Sequence, residues 1–536
     1  MMMIIKLLPS LSKVFPDDAD LGNDIGGISC FTNEPAGFTL AVRTGRPGTV
    51  SVYSDCDNLD IYRIGSVYAG KTANEDHDDW FENEAVSGMY PDILYKDNTA
   101  ETDGSGWLSF YMEFNPRRNA EPGKRYIGLR VYIGGERISR RVPVTVFPAA
   151  LPAQKLVYTN WFHSDCLSSY YKTPVFSDRY FDICADFMRV SAAHGSNMIL
   201  TPLFTPPLDT EIGAERPTVQ LVGVTKSGDN YGFDFSRLDK WIAMAKDCGM
   251  KYFEMSHLFT QWGARCAPKI MAIEDGVERR IFGWETDASG TEYTDFLRQF
   301  SAPIKHYIES NGLHDKIAFH TSDEPGDDDF GSYAKASALV SELFGEYKRI
   351  DALSDFEYYK RGLIDTPVPF IGSAPAFAGN VPELWLYYCG SPCREYMPNR
   401  LLAMPLTRAR AIGIILYKYN AKGFLHWGYN FYYTQGSKRE VDPFRETDAG
   451  GHFPAGDSFV VYPGQDGKAM PSLRLKAFYE GIRDYEALKS LEDRMPREEI
   501  IRMLEDSFGG VITERNYPRE AGWYLQTAEK VRGLFL

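Results

Sequence analysis

SDRYFDICADFMRVSAAHGSNMILTPLF, residues 177–204, decides the fold. Its first part places apolar side chains every three or four residues up to Gly195, the period of a helix with one buried face. NMILTPLF follows as an unbroken apolar run, the pattern of a strand covered on both faces.

Downstream the same alternation repeats. FSRLDKWIAMAKDCGM (235–250) is helical in period with Gly249 as its stop, and KYFEMSHLF (251–259) is the next strand. TEYTDFLRQFSAPIKHYIESNG (291–312) is a helix, KIAFHTSDEP (316–325) a strand, SYAKASALVSELFG (332–345) a helix and RIDALSD (349–355) a strand. LLAMPLTRARAIGIILYKYNA (401–421) then reads as helix and GFLHWGYN (423–430) as strand, with closing helices from Pro471 onward. This order predicts a parallel sheet, and over residues 151–536 a (β/α)8 TIM-type barrel. Upstream, AGFTLAVRT, GTVSVYSD, LSFYMEF, KRYIGLRVYIGG and SRRVPVTVFP alternate apolar with polar residues between turn signals. They predict an N-terminal β-sandwich over residues 1–150, with the Pro- and Ala-rich PAALPAQK (148–155) as the boundary.

Several function classes are excluded by composition. Among 536 residues, 58 are basic and 73 acidic, a net charge of −15 with no basic cluster, which argues against nucleic-acid or anionic-membrane partners. No apolar stretch reaches the roughly 20 residues of a membrane span. The opening MMMIIKLLPSLSK lacks a convincing small-residue cleavage site, so a cytoplasmic location is expected. Cys389 and Cys393 have no second pair or His cluster near them, and the acids 327–329 lack the alternate oxygen ligands of a calcium loop. Neither a metal nor a cofactor is expected. Tyr, Phe and Trp reach 14%, enough for the flat apolar surfaces on which sugars stack, although a large core would use them equally well.

In a parallel barrel, chemistry sits at the C-terminal ends of the strands. The polar and aromatic residues predicted there are Asn160, Trp161, His163 and Asp165; Glu254 and His257; Asp323 and Glu324; Trp427 and Asn430. Asp323 and Glu324 are the candidate catalytic pair. Neighbours in a regular strand point to opposite faces, so both reach one ligand only if the backbone is irregular before Pro325-Gly326. Adjacent carboxylates rarely flank a glycosidic bond as acid and nucleophile. They suit a reaction in which the substrate's own 2-acetamido oxygen attacks C1, one carboxylate orienting the acetamido N–H and the other protonating the leaving oxygen. The alternative is a helix N-terminus, which the acidic GDDD favours.

TNWFHSD (159–165), HGSNMILTPLFTPPLD (194–209), YFEMSHLFTQWGA (252–264), HTSDEP (320–325), LWLYYCG (384–390), FLHWGYN (424–430) and residues 460–488 together resemble glycoside hydrolase family 123, the β-N-acetylgalactosaminidases. The resemblance implies that Asp323 stabilises the acetamido group and Glu324 is the general acid/base. It implies a retaining hydrolase that removes terminal β-linked N-acetylgalactosamine from a glycan or glycoconjugate through an oxazolinium intermediate. A barrel acting on another sugar, such as N-acetylglucosamine, and a non-catalytic carbohydrate-binding protein are the alternatives.

Trp161, Trp262, Tyr387 and Trp427 are candidate sugar platforms, each also readable as a core aromatic, and Tyr387 is the choice for the hydroxyl that holds the acetamido carbonyl. His163 and His257 could donate to sugar hydroxyls or serve structure alone. Glu254 either holds sugar hydroxyls or pairs with an arginine such as Arg265. GDSFVVYPGQDG (456–467) is expected as a surface loop lining the site.

Overall fold

The computed structural model describes residues 3–117, 120–390 and 393–536. Ten strands between Ile4 and Phe147 form two five-stranded sheets, mostly antiparallel, with the parallel pairing of Ile28–Phe31 on Glu136–Phe147 as the exception. Alternate side chains such as Ile5, Phe38, Val52, Phe110, Val131 and Val144 make one apolar core shared by the two sheets. The expected strands are present because each sequence alternates on the period of two that buries one face.

Eight parallel strands follow: Val157–Asn160, Met198–Thr201, Tyr252–Met255, Ile317–Phe319, Lys348–Ala352, Thr366–Val368, Trp385–Tyr387 and Gly423–His426. They are hydrogen-bonded in barrel order, the eighth beside the first. Closure is nearly complete. Among the described residues, the sixth and seventh strands are joined by the bridge of Phe370 with Tyr387, whose N–H donates to Pro369 O at 3.1 Å.

The outer helices are uneven. Asp178–Ala193, Ser236–Asp247, Thr291–Ser310, Phe330–Phe344, Leu406–Lys418 and Leu473–Leu491 are full helices, whereas those after the fifth and sixth strands shrink to Phe356–Lys360 and Ala374–Phe377. The sequence 177–204 folds as read: Ser177 Oγ caps the helix on Tyr180 N, and Met198–Thr201 is buried throughout.

Two hairpins not foreseen, Gly223–Ser227 with Asn230–Asp234 and Ile270–Glu274 with Val277–Phe282, join in a four-stranded sheet of their own. The expected surface loop 456–467 is instead largely buried. Val461–Pro463 pairs with Ala469–Pro471, and Val461 and Tyr462 are fully enclosed. Buried contacts bind the strand-rich region to the barrel: Arg474 pairs with Asp92 at 2.9 Å, and Lys13 Nζ donates to Leu402 O and Met404 O, each at 2.6 Å. Among the described residues no helix is long and apolar enough to cross a membrane.

Candidate active site

Beyond the fourth strand the chain is pinned residue by residue. Thr321 N donates to Asp351 Oδ1 at 2.9 Å, and Ser322 Oγ to Thr260 O at 2.8 Å. Asp323 O accepts from Trp262 N at 2.9 Å, and Glu324 N donates to Ala352 O at 3.0 Å. Glu324 has φ +41°, the left-handed region that a residue with a Cβ enters only under constraint. This is the expected irregularity. It falls one residue before Pro325 and beyond Phe319, where the strand already ends, so strand alternation does not govern the two side chains.

The pair is asymmetric. Asp323 is 8% exposed, whereas Glu324 faces solvent. Burial, with Glu324 beside it, pushes the Asp323 carboxyl well above the usual carboxylate range, and His320 opposes that shift. Tyr387, at the end of the seventh strand, donates its hydroxyl to Glu324 Oε1 at 2.6 Å. Burial first, and then Glu324, raise the Tyr387 phenol well above its ordinary range, so it stays a donor.

Behind Asp323 lies a charge cluster that sequence reasoning missed in part. His320 Nε2 meets Glu254 Oε1 at 2.5 Å, and its Nδ1 meets Asp351 Oδ1 at 3.1 Å. Glu254 also accepts from Trp161 Nε1 at 2.7 Å and from Thr159 Oγ1, and Asp351 from Tyr333 Oη at 2.6 Å. Glu254 therefore does not pair with Arg265, which binds Asp329 at 2.8 Å instead. The oxygens of Glu254 are thus taken up by His320, Trp161 and Thr159. Burial opposes the charge on His320, yet its hydrogen bonds to Asp351 and Glu254 hold it up to about 9.

The His257 ring stacks on His320 with centroids 4.1 Å apart, and neither of its nitrogens has a protein partner among the described residues. Burial, with the His320 charge beside it, holds His257 well below its ordinary value, hence neutral. Donor atoms of His257, His320 and Asp351 lie within 4.8 Å of one another. A metal there would have to displace a carboxylate from His320, so the donor set fits an ion-pair cluster better than a metal centre.

The remaining strand-end residues form the supporting wall. Asn160 Oδ1 accepts from Arg400 at 2.9 Å. His163 N donates to Asn430 Oδ1 at 2.9 Å, and Asn430 Nδ2 returns a bond to His163 O at 3.1 Å. The His163 ring lies between Trp427 O and Arg216, and Arg216 forks onto Asp165 at 2.6 and 2.8 Å. Burial first, then Arg216, bring His163 down to about 3.

Trp161 is only 2% exposed, so little of its ring is open to a ligand, whereas Trp262 is 51% exposed beside Asp323. Trp427 is half-buried and anchored by its Nε1 on Asp457 Oδ2 at 2.9 Å; burial pushes that carboxyl up to about 7. Arg216, Arg400 and Asp351 escaped sequence reading because each is an isolated polar residue with no motif around it, and Asp457 stood in the segment 456–467 that was expected as a surface loop. His320 stood inside HTSDEP, and the signal for it was its place at a strand end.

An eight-stranded barrel with paired carboxylates and aromatic rings at its strand ends is an arrangement suited to glycoside hydrolysis, and a family match makes the chain a glycoside hydrolase. The chain belongs to glycoside hydrolase family 123, whose catalytic-domain model matches residues 161–491. A family 123 glycoside hydrolase from Clostridium perfringens has the same fold, with TM-score 0.76 at 16% identity over 100% of this chain and 98% of that one. A GH10 xylanase with a bacterial Ig-like domain from termite gut (TM-score 0.35, 12% identity, 72% of this chain and 91% of that one) is too distant to bear on the site. So is the endo-β-1,4-mannanase of Thermotoga petrophila (TM-score 0.32, 13% identity, 63% of this chain and 78% of that one). No curated protein sequence matches the chain.

Proposed function

We propose that this glycoside hydrolase is a retaining exo-β-N-acetylgalactosaminidase in which the substrate supplies the nucleophile. The observation that carries the reading is the kink at Glu324, which leaves a buried Asp323 beside a solvent-facing Glu324. Asp323 takes up the acetamido N–H, which raises the nucleophilicity of the acetamido oxygen. That oxygen forms a bond to C1 as the C1–O glycosidic bond breaks, and Glu324 passes its proton to the departing oxygen. Glu324, now a carboxylate, removes a proton from water. The water oxygen bonds to C1, the oxazolinium ring opens, and the β-configured sugar leaves with its acetamido group restored.

Tyr387 contributes a hydroxyl next to Glu324, and His257, enclosed against His320, belongs to the wall behind the site. Trp262 and Trp427 offer ring faces to the sugar, while Asn160, Trp161, His163, Glu254 and Asn430 hold the walls. Residues 1–150 serve as a supporting β-sandwich and 151–536 as the catalytic unit. The reading is supported by the Clostridium perfringens relative, whose structure is described in terms of glycolipid glycan hydrolysis.

The test is hydrolysis of aryl β-glycosides. Cleavage of the N-acetylgalactosaminide is expected, with Asp323→Asn and Glu324→Gln each losing about 10²–10⁴-fold in kcat, the range of one acid–base group. Activity confined to sugars without the acetamido group, or sugar binding without turnover, would overturn it. So would full activity of Glu324→Gln on a poor leaving group.

A further inference from the structure

We propose that His320 is a positioning residue for the reaction: a buried cation bridging Glu254 and Asp351, it offsets the negative charge around Asp323 so that Asp323 meets the acetamido N–H as a carboxylate. The inference rests on the substrate-assisted reading and adds to it the group that makes a buried Asp323 usable.

Hydrogen-bond accounting carries the argument. Glu254, on the third strand, receives donors from Thr159 and Trp161 of the first-strand segment. Asp351, on the fifth strand, receives Thr321 N and, from the helix Phe330–Phe344, Tyr333 Oη. Trp161 Nε1 and Thr321 N can only donate, and with the Thr159 and Tyr333 hydroxyls donating as well, every oxygen contact of the two acids is an acceptance, the pattern of carboxylates. His320 lies between them with one ring nitrogen on each, at 2.5 and 3.1 Å, and is fully enclosed.

A neutral imidazole has a single N–H, so its bare nitrogen would be set against a carboxylate lone pair. Only the imidazolium satisfies both contacts. The titration behaviour agrees, with His320 held up to about 9 against the opposing effect of burial. The ring face of His320 is covered by His257, which burial first and then that charge keep neutral. The other ionisable groups near it are Asp323 and Glu324, three and four residues further along its own segment.

Take the cation away, and the three buried acids Glu254, Asp351 and Asp323 lose the group that opposes the rise of the Asp323 carboxyl. Asp323, already pushed up by burial, would then hold its proton to higher pH and could no longer accept the acetamido N–H.

Two measurements test this on the full chain. Histidine labelled with ¹⁵N, with the His320 signals assigned by their loss in His320→Gln, should show both ring nitrogens protonated at pH 7.5. A neutral tautomer there overturns the proposal whatever the substrate proves to be. In Asp351→Asn the His320 midpoint should fall by about one pH unit or more, and an unmoved midpoint also overturns it. If His320→Gln folds, the acidic limb of its kcat/KM profile should move up by about one unit. A fall in rate equal at every pH would instead mark a merely structural histidine. The labelled spectra need no turnover, so failure of the glycosidase reading and failure of this one remain distinguishable.

Discussion

At the residue scale the account turns on Glu324 and its partner Tyr387. The 2.6 Å bond from the Tyr387 hydroxyl fixes Glu324 in a solvent-facing position that its left-handed backbone alone would leave loose. Tyr387→Phe removes that bond without changing packing. Loss of about tenfold in kcat/KM is expected, the size of one hydrogen bond, with an unchanged melting temperature. Kinetics and a thermal melt of the same preparation check both halves.

Asp323 and Glu324 were legible in the sequence because HTSDEP concentrates two acids and a chain-breaking Pro-Gly at the end of an apolar strand. Asp351 was not. Its partnership with His320 spans 31 residues, and nothing near RIDALSD marks its aspartate as buried. Glu254 was legible only as an unexplained acid on an apolar strand, and its partner emerged once the third and fourth strands were seen side by side.

At the scale of elements, the site depends on the turn 260–265 as much as on the strands. Trp262 and Ala264 both have positive φ, at +57° and +54°, and Gly263 between them stands at +111°. A Cβ on Gly263 would come within 2.3 Å of Asp329 Oδ1, the acid that anchors Arg265. Gly263→Ala should therefore displace the turn that presents Trp262 and donates its N–H to Asp323 O. The expected outcome is a several-fold rise in KM, with a loss of about 1–3 kcal/mol in stability from backbone strain; steady-state kinetics and urea unfolding read the two.

The long helices of the barrel were readable from their 3.6-residue period. The helices after the fifth and sixth strands, of five and four residues, are too short to carry a period at all. The hairpins at 223–234 and 270–282 were hidden for a different reason. They pair with each other rather than with the barrel, and in Val277–Phe282 the residues from Val277 to Arg280 are all exposed, so the strand has no buried face to alternate against.

For the molecule as a whole, the strand-rich region is tied into the catalytic barrel by charge. Arg474 forks onto Asp92 and also donates to Arg400 O, Gly456 O and Phe459 O, bridging the first sheet and the segment that carries Asp457. Both partners are at most 1% exposed. Arg474→Met would strand Asp92 without its cation, and about 3–5 kcal/mol of stability should be lost, measured by denaturant unfolding.

Stability should also respond to pH through His320. Its folded value, about 9, lies above its ordinary 6.5, so the folded chain holds this proton more tightly than the unfolded one. The resulting stabilisation is full below about pH 6.5 and is lost as pH rises through 9. The melting temperature of the wild type should accordingly drop more between pH 7 and 9.5 than that of His320→Gln, a comparison that thermal melts across this range would make.

The central claim is that the substrate's acetamido oxygen attacks C1 while Asp323 and Glu324 assist. The most direct measurement is kcat/KM for aryl β-N-acetylgalactosaminides whose acetyl methyl carries zero, one, two or three fluorines. Each fluorine withdraws electrons from the acetamido oxygen and leaves the leaving group untouched. The account predicts a steep, monotonic fall along the series. A flat response would contradict it, because the nucleophile would then have to come from the protein.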